Sequence, residues 1–177
     1  MEKIKGLATP RINTKKLILF SALLGIATVA PMLLSHQQIV SGPIVNATLI
    51  ISVILLGTES AILVGLVPSI IALSVGLLPA VLAPMIPFIM LSNAILVLLF
   101  GYLYKKNYWF ALVFGSLVKF LFLYVTSSVV ISLLIKTELA SQVALIMSWP
   151  QFLTAVAGGF LAFGFLKITK KVYNKNK

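Results

Sequence analysis

Lys119 stands inside the apolar run Phe110-Ala-Leu-Val-Phe-Gly-Ser-Leu-Val-Lys-Phe-Leu-Phe-Leu-Tyr-Val125. It follows Tyr108 by eleven residues, about 16 Å along a helix, which is near the middle of a bilayer. A lysine at that depth costs roughly 2.5–3.5 kcal/mol on insertion scales. The chain has only three acidic residues, Glu2, Glu59 and Glu138, and no carboxylate is expected at membrane depth. An intramembrane cation of this kind is a candidate counter-ion for an anionic ligand. The competing reading is that Lys119 points inward or bonds backbone carbonyls of another span.

Polar residues gather outward of this lysine. Positions 119, 123, 126, 127 and 130 share a face at helical spacing, which sets Thr126 and Ser127 above Lys119. Asn93 falls in the outer half of an apolar run, and Asn46 opens another. An amide facing lipid is costly, so both are expected to face inward. The stretch His36-Gln-Gln-Ile-Val-Ser-Gly-Pro-Ile-Val-Asn46 holds the only histidine. His36, Gln37 and Gln38 offer more hydrogen-bonding groups than a plain connection needs. Trp149 and Gln151, in Ser148-Trp-Pro-Gln151, complete a group able to line or cover an outward-facing pocket. An interfacial anchor is the alternative role for Trp149.

The elements that position these residues are membrane spans. The 177-residue chain is 60% hydrophobic and only 10% charged, with a mean hydropathy of +1.13. A soluble domain carries about 25% charged residues, so this composition gives an all-α integral membrane protein. Six apolar runs are expected as spans: Leu17–Leu34, Ile44–Leu56, Ala61–Leu78, from Pro84 or Pro87 to Tyr104, Tyr108–Ile135, and from about Gln151 to Lys167. Pro68 is expected to kink the third. Three prolines, Pro79, Pro84 and Pro87, break the chain before the fourth. Gly57-Thr-Glu-Ser60 reads as a tight turn. The domain plan is a basic tail 1–16, a six-span domain 17–168 and a basic tail 169–177. The first run follows a basic lead as a signal peptide would. It is long for one, and Pro31 directly after Ala30 disfavours cleavage, so it reads as a retained span.

Charge supports the count. With both tails inside, twelve of the fourteen Lys and Arg residues fall on the inner side, and only Lys136 falls outside. That places both termini in the cytoplasm and the segments 36–46, 79–87 and 148–151 on the outer face. The net charge of +11 is therefore a topology signal. No basic stripe of the nucleic-acid-binding kind exists, so no nucleic acid is expected as partner. Without cysteine and with one histidine, the chain cannot build thiolate or His-rich metal sites. No cofactor is expected.

Small residues mark contact faces. Ser21 and Gly25 lie four apart in the first span, and Gly158, Gly159 and Gly164 recur in the last. Such spacing permits close helix approach.

At the level of pattern, nearly the whole chain resembles the substrate-binding S component of energy-coupling factor transporters. The likeness rests on size, six spans, an outer first loop, and the segments PFIMLSNAILVLLFGYLYKK (87–106) and FALVFGSLVKFLFLYV (110–125). The resemblance implies a bacterial plasma-membrane subunit that captures a vitamin or similar micronutrient from outside. It implies docking on a membrane scaffold (T) subunit driven by two cytoplasmic ATPases, then toppling in the bilayer to release the ligand inside. Members often carry an Ala-x-x-x-Ala docking pair on the first helix, and Ser21 and Gly25 match its spacing. There is no Walker-type phosphate loop, so ATP hydrolysis lies elsewhere.

Two other classes stand beside this one. An intramembrane enzyme would need His36 paired with a serine such as Ser127, yet no Gly-x-Ser-x-Gly elbow and no orienting acid accompany them. No enzyme activity is therefore expected. A small channel or ligand-free scaffold is the third class. A co-purifying small molecule favours the transporter subunit, and a symmetric oligomer favours the channel.

Overall fold

The computed structural model describes residues 13–34, 38–74, 80–134 and 137–175. Seven α-helices and one 3₁₀ segment account for nearly all of them. They are α1 (Thr14–Leu33), α2 (Gln38–Leu56), α3 (Thr58–Ser74), the 3₁₀ segment Ala80–Met85, α4 (Ile86–Leu103), α5 (Tyr108–Leu134), α6 (Thr137–Ile146) and α7 (Pro150–Lys175). Among the described residues, five segments are long and apolar enough to cross a membrane: Thr14–Leu33, Ile39–Leu56, Ala83–Leu103, Tyr108–Leu133 and Val143–Thr169. The sixth apolar helix, Thr58–Ile71, is shorter. The all-helical membrane bundle expected from composition is therefore present.

Helix ends follow local chemistry. The Asn13 side chain accepts from the backbone N–H groups of Lys15 and Lys16 at 3.1 and 3.3 Å, which starts α1. Asn107 does the same for α5 through Phe110 N at 3.0 Å. Pro87 sits in the first turn of α4, where its missing N–H costs nothing.

Two expected boundaries change. The second span begins at Gln38, not near Ile44, so most of the 36–46 loop is helix and Asn46 lies well inside α2. Pro43 lies within α2, as Pro31 and Pro68 lie within α1 and α3, and Gly42 before it lacks the Cβ that a proline ring crowds. The turn at 57–60 shrinks to Gly57 alone, which adopts φ 95 and links α2 directly to α3. In addition, α7 continues to Lys175, through most of the segment read as a basic tail. The third helix ends at Ser74; residues 75–79 lie outside the described residues, as do Ile135 and Lys136.

Helix α2 is the centre of the bundle, packing on α1, α3, α4 and α7. Close to half of its span (44%) is buried, against 11% for α1, which touches only α2 and α3 closely. Two apolar clusters fill the interior. The larger joins Leu49, Val53, Val64, Leu96, Phe100 and Leu112. The smaller joins Met85, Leu123, Val130, Val143 and Met147 where the 3₁₀ segment, α5 and α6 meet. Along α4 and α5, Asn93 and Lys119 fall between the two clusters.

Candidate functional site

Lys119 is 3% exposed and reaches across the bundle. Its Nζ donates to Asn46 Oδ1 of α2 at 2.7 Å and to Asn93 Oδ1 of α4 at 2.8 Å. Each amide is fixed from behind. Asn46 Nδ2 donates to the Gly42 carbonyl at 2.9 Å, and Asn93 Nδ2 donates to the Gly65 carbonyl of α3 at 3.1 Å. One N–H of each amide is thus held by backbone, which turns both oxygens toward the ammonium. Four helices, α2 to α5, are tied together through one cation.

The lysine turns inward and is paired within the bundle, as the competing reading expected. Its hydrogen-bonding partners are the neutral side chains of two other spans, not backbone carbonyls. Its charge meets no carboxylate in hydrogen bonding among the described residues. The reason is geometric: side chains of amide length on α2 and α4 converge on a long, flexible lysine stem from α5.

The glycines make this convergence possible. A Cβ on Gly65 would stand 3.3 Å from Asn93 Cβ, and one on Gly158 would stand 2.7 Å from Asn46 Cβ. Gly158 and Gly159 thus serve close packing as expected. Gly164 does not, since nothing lies within 4 Å of its Cβ position.

Of the other outer polar residues, none shown joins this constellation by hydrogen bond. Ser127 is buried on the same face of α5 as Lys119, Leu123 and Val130. Its hydroxyl bonds Tyr124 O at 3.0 Å, and that of Thr126 bonds Phe122 O at 2.7 Å, as hydroxyls in apolar helices commonly do. Trp149 is 57% exposed, and its carbonyl accepts from Phe152 and Leu153 at the start of α7. Gln151 Nε2 donates to Ile146 O at 3.1 Å and closes the turn between α6 and α7. Gln38 opens α2. His36 and Gln37 lie outside the described residues.

Residues 15–170 match the protein family described as ECF transporter, substrate-specific component. The chain belongs to this family. No curated protein and no solved structure gives a match. Membership makes this S component a multi-pass membrane protein, the substrate-binding subunit of a transporter, and it is a transporter family and not an enzyme family.

Sequence reasoning missed Ser116, one turn before Lys119. It is fully buried, and its Oγ has no hydrogen-bond partner among the described residues. The signal was its place three residues before an intramembrane lysine. On α1, Ser21 is exposed, and Gly25 has nothing within 4 Å of its Cβ position. Gly25 lines a shallow apolar groove with Ala22, Ile26, Val29, Ala30 and Leu33. No other helix of the described bundle fills this face.

Proposed function

We propose that this S component captures a small anionic micronutrient, of the vitamin kind, from the outer face of a bacterial plasma membrane. The observation that carries the reading is Lys119: a buried ammonium solvated only by neutral amide oxygens among the described residues. An isolated buried charge is costly, and an arriving anion relieves that cost. The scarcity of acidic residues argues against a cationic ligand.

Both termini are assigned to the cytoplasm by the distribution of Lys and Arg. In that orientation the starts of α2 and α7 face outward. Gln38, Trp149 and Gln151, with His36 and Gln37, then belong to the entrance. Thr126 and Ser127 line the buried face of α5 between the entrance and Lys119, while Asn46 and Asn93 stand at the lysine itself.

The partners are a membrane scaffold (T) subunit and two cytoplasmic ATPases. The outward face of α1 around Ser21 and Gly25 is the docking surface. Its shallow groove and small residues suit close approach of a second helix, where van der Waals packing drives association. Gly25→Leu is expected to fill the groove and abolish co-purification with the scaffold subunit. Gly164→Leu, also at an open position, leaves assembly intact. Ligand capture by the isolated subunit is unchanged in both. Co-purification of Gly25→Leu at the wild-type level would remove α1 from the interface.

Native mass spectrometry of the protein, purified gently from cells grown in rich medium, tests the capture reading. A stoichiometric adduct of an acidic small molecule is the expected result. A bare mass, with a symmetric oligomer, would replace it with the channel or scaffold reading.

A further inference from the structure

Ser116 breaks a rule that the rest of the bundle keeps. The hydroxyls of Thr48, Ser52, Ser92, Ser127 and Thr154 are buried, and each bonds a carbonyl three or four residues back along its own helix. Ser116 is as deeply buried, at 0% exposure, and its Oγ bonds nothing among the described residues. A buried polar atom without a partner calls for a specific explanation.

The neighbouring lysine has spare capacity of the same kind. An ammonium carries three N–H donors. Two are taken by Asn46 and Asn93, and no third acceptor is present among the described residues. Helical side chains lean toward the N-terminus of their helix and cover the turn three to four residues back. The stem of Lys119 therefore runs over the turn that contains Gly115 and Ser116. Two unspent donors, one charged and one neutral, lie on adjacent turns of one buried helix face. The amides beside them are already committed in part, since each NH₂ group gives one of its two N–H donors to the carbonyl of Gly42 or Gly65 and each oxygen accepts from Lys119.

We infer that the Ser116 hydroxyl and the remaining N–H of Lys119 form a two-donor seat for a carboxylate of the captured molecule, with Asn46 and Asn93 acting as positioning residues that hold the ammonium. The inference rests on the reading of Lys119 as the anion-binding group. A carboxylate supplies an acceptor oxygen to each donor. The matching neutral amide brings no negative charge to the Lys119 ammonium and so lacks the charge-assisted contact. A cation is rejected by Lys119 itself.

The test uses the full chain in detergent micelles and fluorine NMR of 4-fluorobenzoate, with 4-fluorobenzamide as the neutral isostere. Wild-type protein is expected to broaden the benzoate line and leave the benzamide line unchanged. Ser116→Ala and the near-isosteric Ser116→Cys weaken benzoate binding about tenfold, the loss of one charge-assisted hydrogen bond. Ser116→Thr restores it. Ser52→Ala, which removes an equally buried hydroxyl that bonds its own helix, has no effect. Equal broadening of the two probes, or none, by wild-type protein overturns the seat. If Lys119→Met binds benzoate as wild type does, the anion-binding reading of Lys119 fails. If Lys119→Met loses the probe while both Ser116→Ala and Ser116→Cys retain it, only the role of Ser116 is overturned, and an ordered water accounts for its orphaned hydroxyl.

Discussion

Lys119→Met is expected to abolish capture of the proposed anionic ligand while the empty bundle still folds. Methionine matches the lysine stem in length and flexibility, so the space is filled. Two effects on the empty protein oppose each other. The burden of a charge at membrane depth, roughly 2.5–3.5 kcal/mol, is removed. The oxygens of Asn46 and Asn93 lose their donor, at about 1–3 kcal/mol each. Both amides keep their bonds to Gly42 and Gly65. The thermal midpoint in detergent is therefore expected to move little. Binding has no such offset. A charge-assisted contact to a buried anion is worth about 3 kcal/mol, on the order of a hundredfold in affinity. Asn93→Leu makes the opposite change, since it keeps the charge and removes half of its solvation. It is expected to lower the thermal midpoint more than Lys119→Met does. A Lys119→Met variant that co-purifies with the same stoichiometric ligand would end the anion-binding reading. An Asn93→Leu variant as stable as wild type would show that the amides do not carry the ammonium.

The membrane class and most helix boundaries were legible because they rest on long-range composition. Apolar runs, prolines and basic clusters each leave a local mark, and α4 and α5 lie within a residue or two of where those marks put them. Lys119, Asn46 and Asn93 were each recognisable as polar residues stranded in apolar runs. Their meeting was not. It depends on how α2, α4 and α5 rotate about their axes, and that rotation is set by packing against Gly65 and Gly158 from elements distant in sequence. The 36–46 stretch misled for a local reason. Gly-Pro reads as a turn, yet this glycine precedes a proline held inside a helix and bonded through its carbonyl to Asn46. For Thr126 and Ser127 the ordinary state of a hydroxyl in an apolar helix, a bond to its own backbone, is what the structure shows. Ser116 went unnoticed because serine in an apolar helix is ordinary, and only the bonding of its neighbours makes it an exception.

Gly158→Ala is expected to unfold the bundle or leave it unable to bind. The added Cβ would stand 2.7 Å from both Asn46 Cβ and the Pro43 carbonyl oxygen, and 2.8 Å from Ala47 N. Two of these atoms are backbone, so no side chain can swing aside. Helix α7 must move off α2 instead. Overpacking a core typically costs about 1–3 kcal/mol, and a clash against backbone falls at the upper end or beyond. The damage also reaches the site. Asn46 is one of the crowded residues, so separation of α2 from α7 moves its amide relative to Lys119. A variant that survives purification is therefore expected to show a lowered thermal midpoint and weakened ligand retention together. Gly164→Ala on the same helix is the control. Nothing lies within 4 Å of its Cβ position, and alanine gains about 1 kcal/mol of helix propensity over glycine. Its midpoint should equal or exceed that of wild type. Equal midpoints for Gly158→Ala and wild type would mean that α2 and α7 do not approach this closely. The contrast with Gly25 divides the bundle by task. Glycine at 158 is demanded by contact inside the subunit, where α7 packs on α2 beside Asn46. Glycine at 25 meets nothing inside the subunit, and under the proposed docking role its smallness serves the approach of the scaffold subunit.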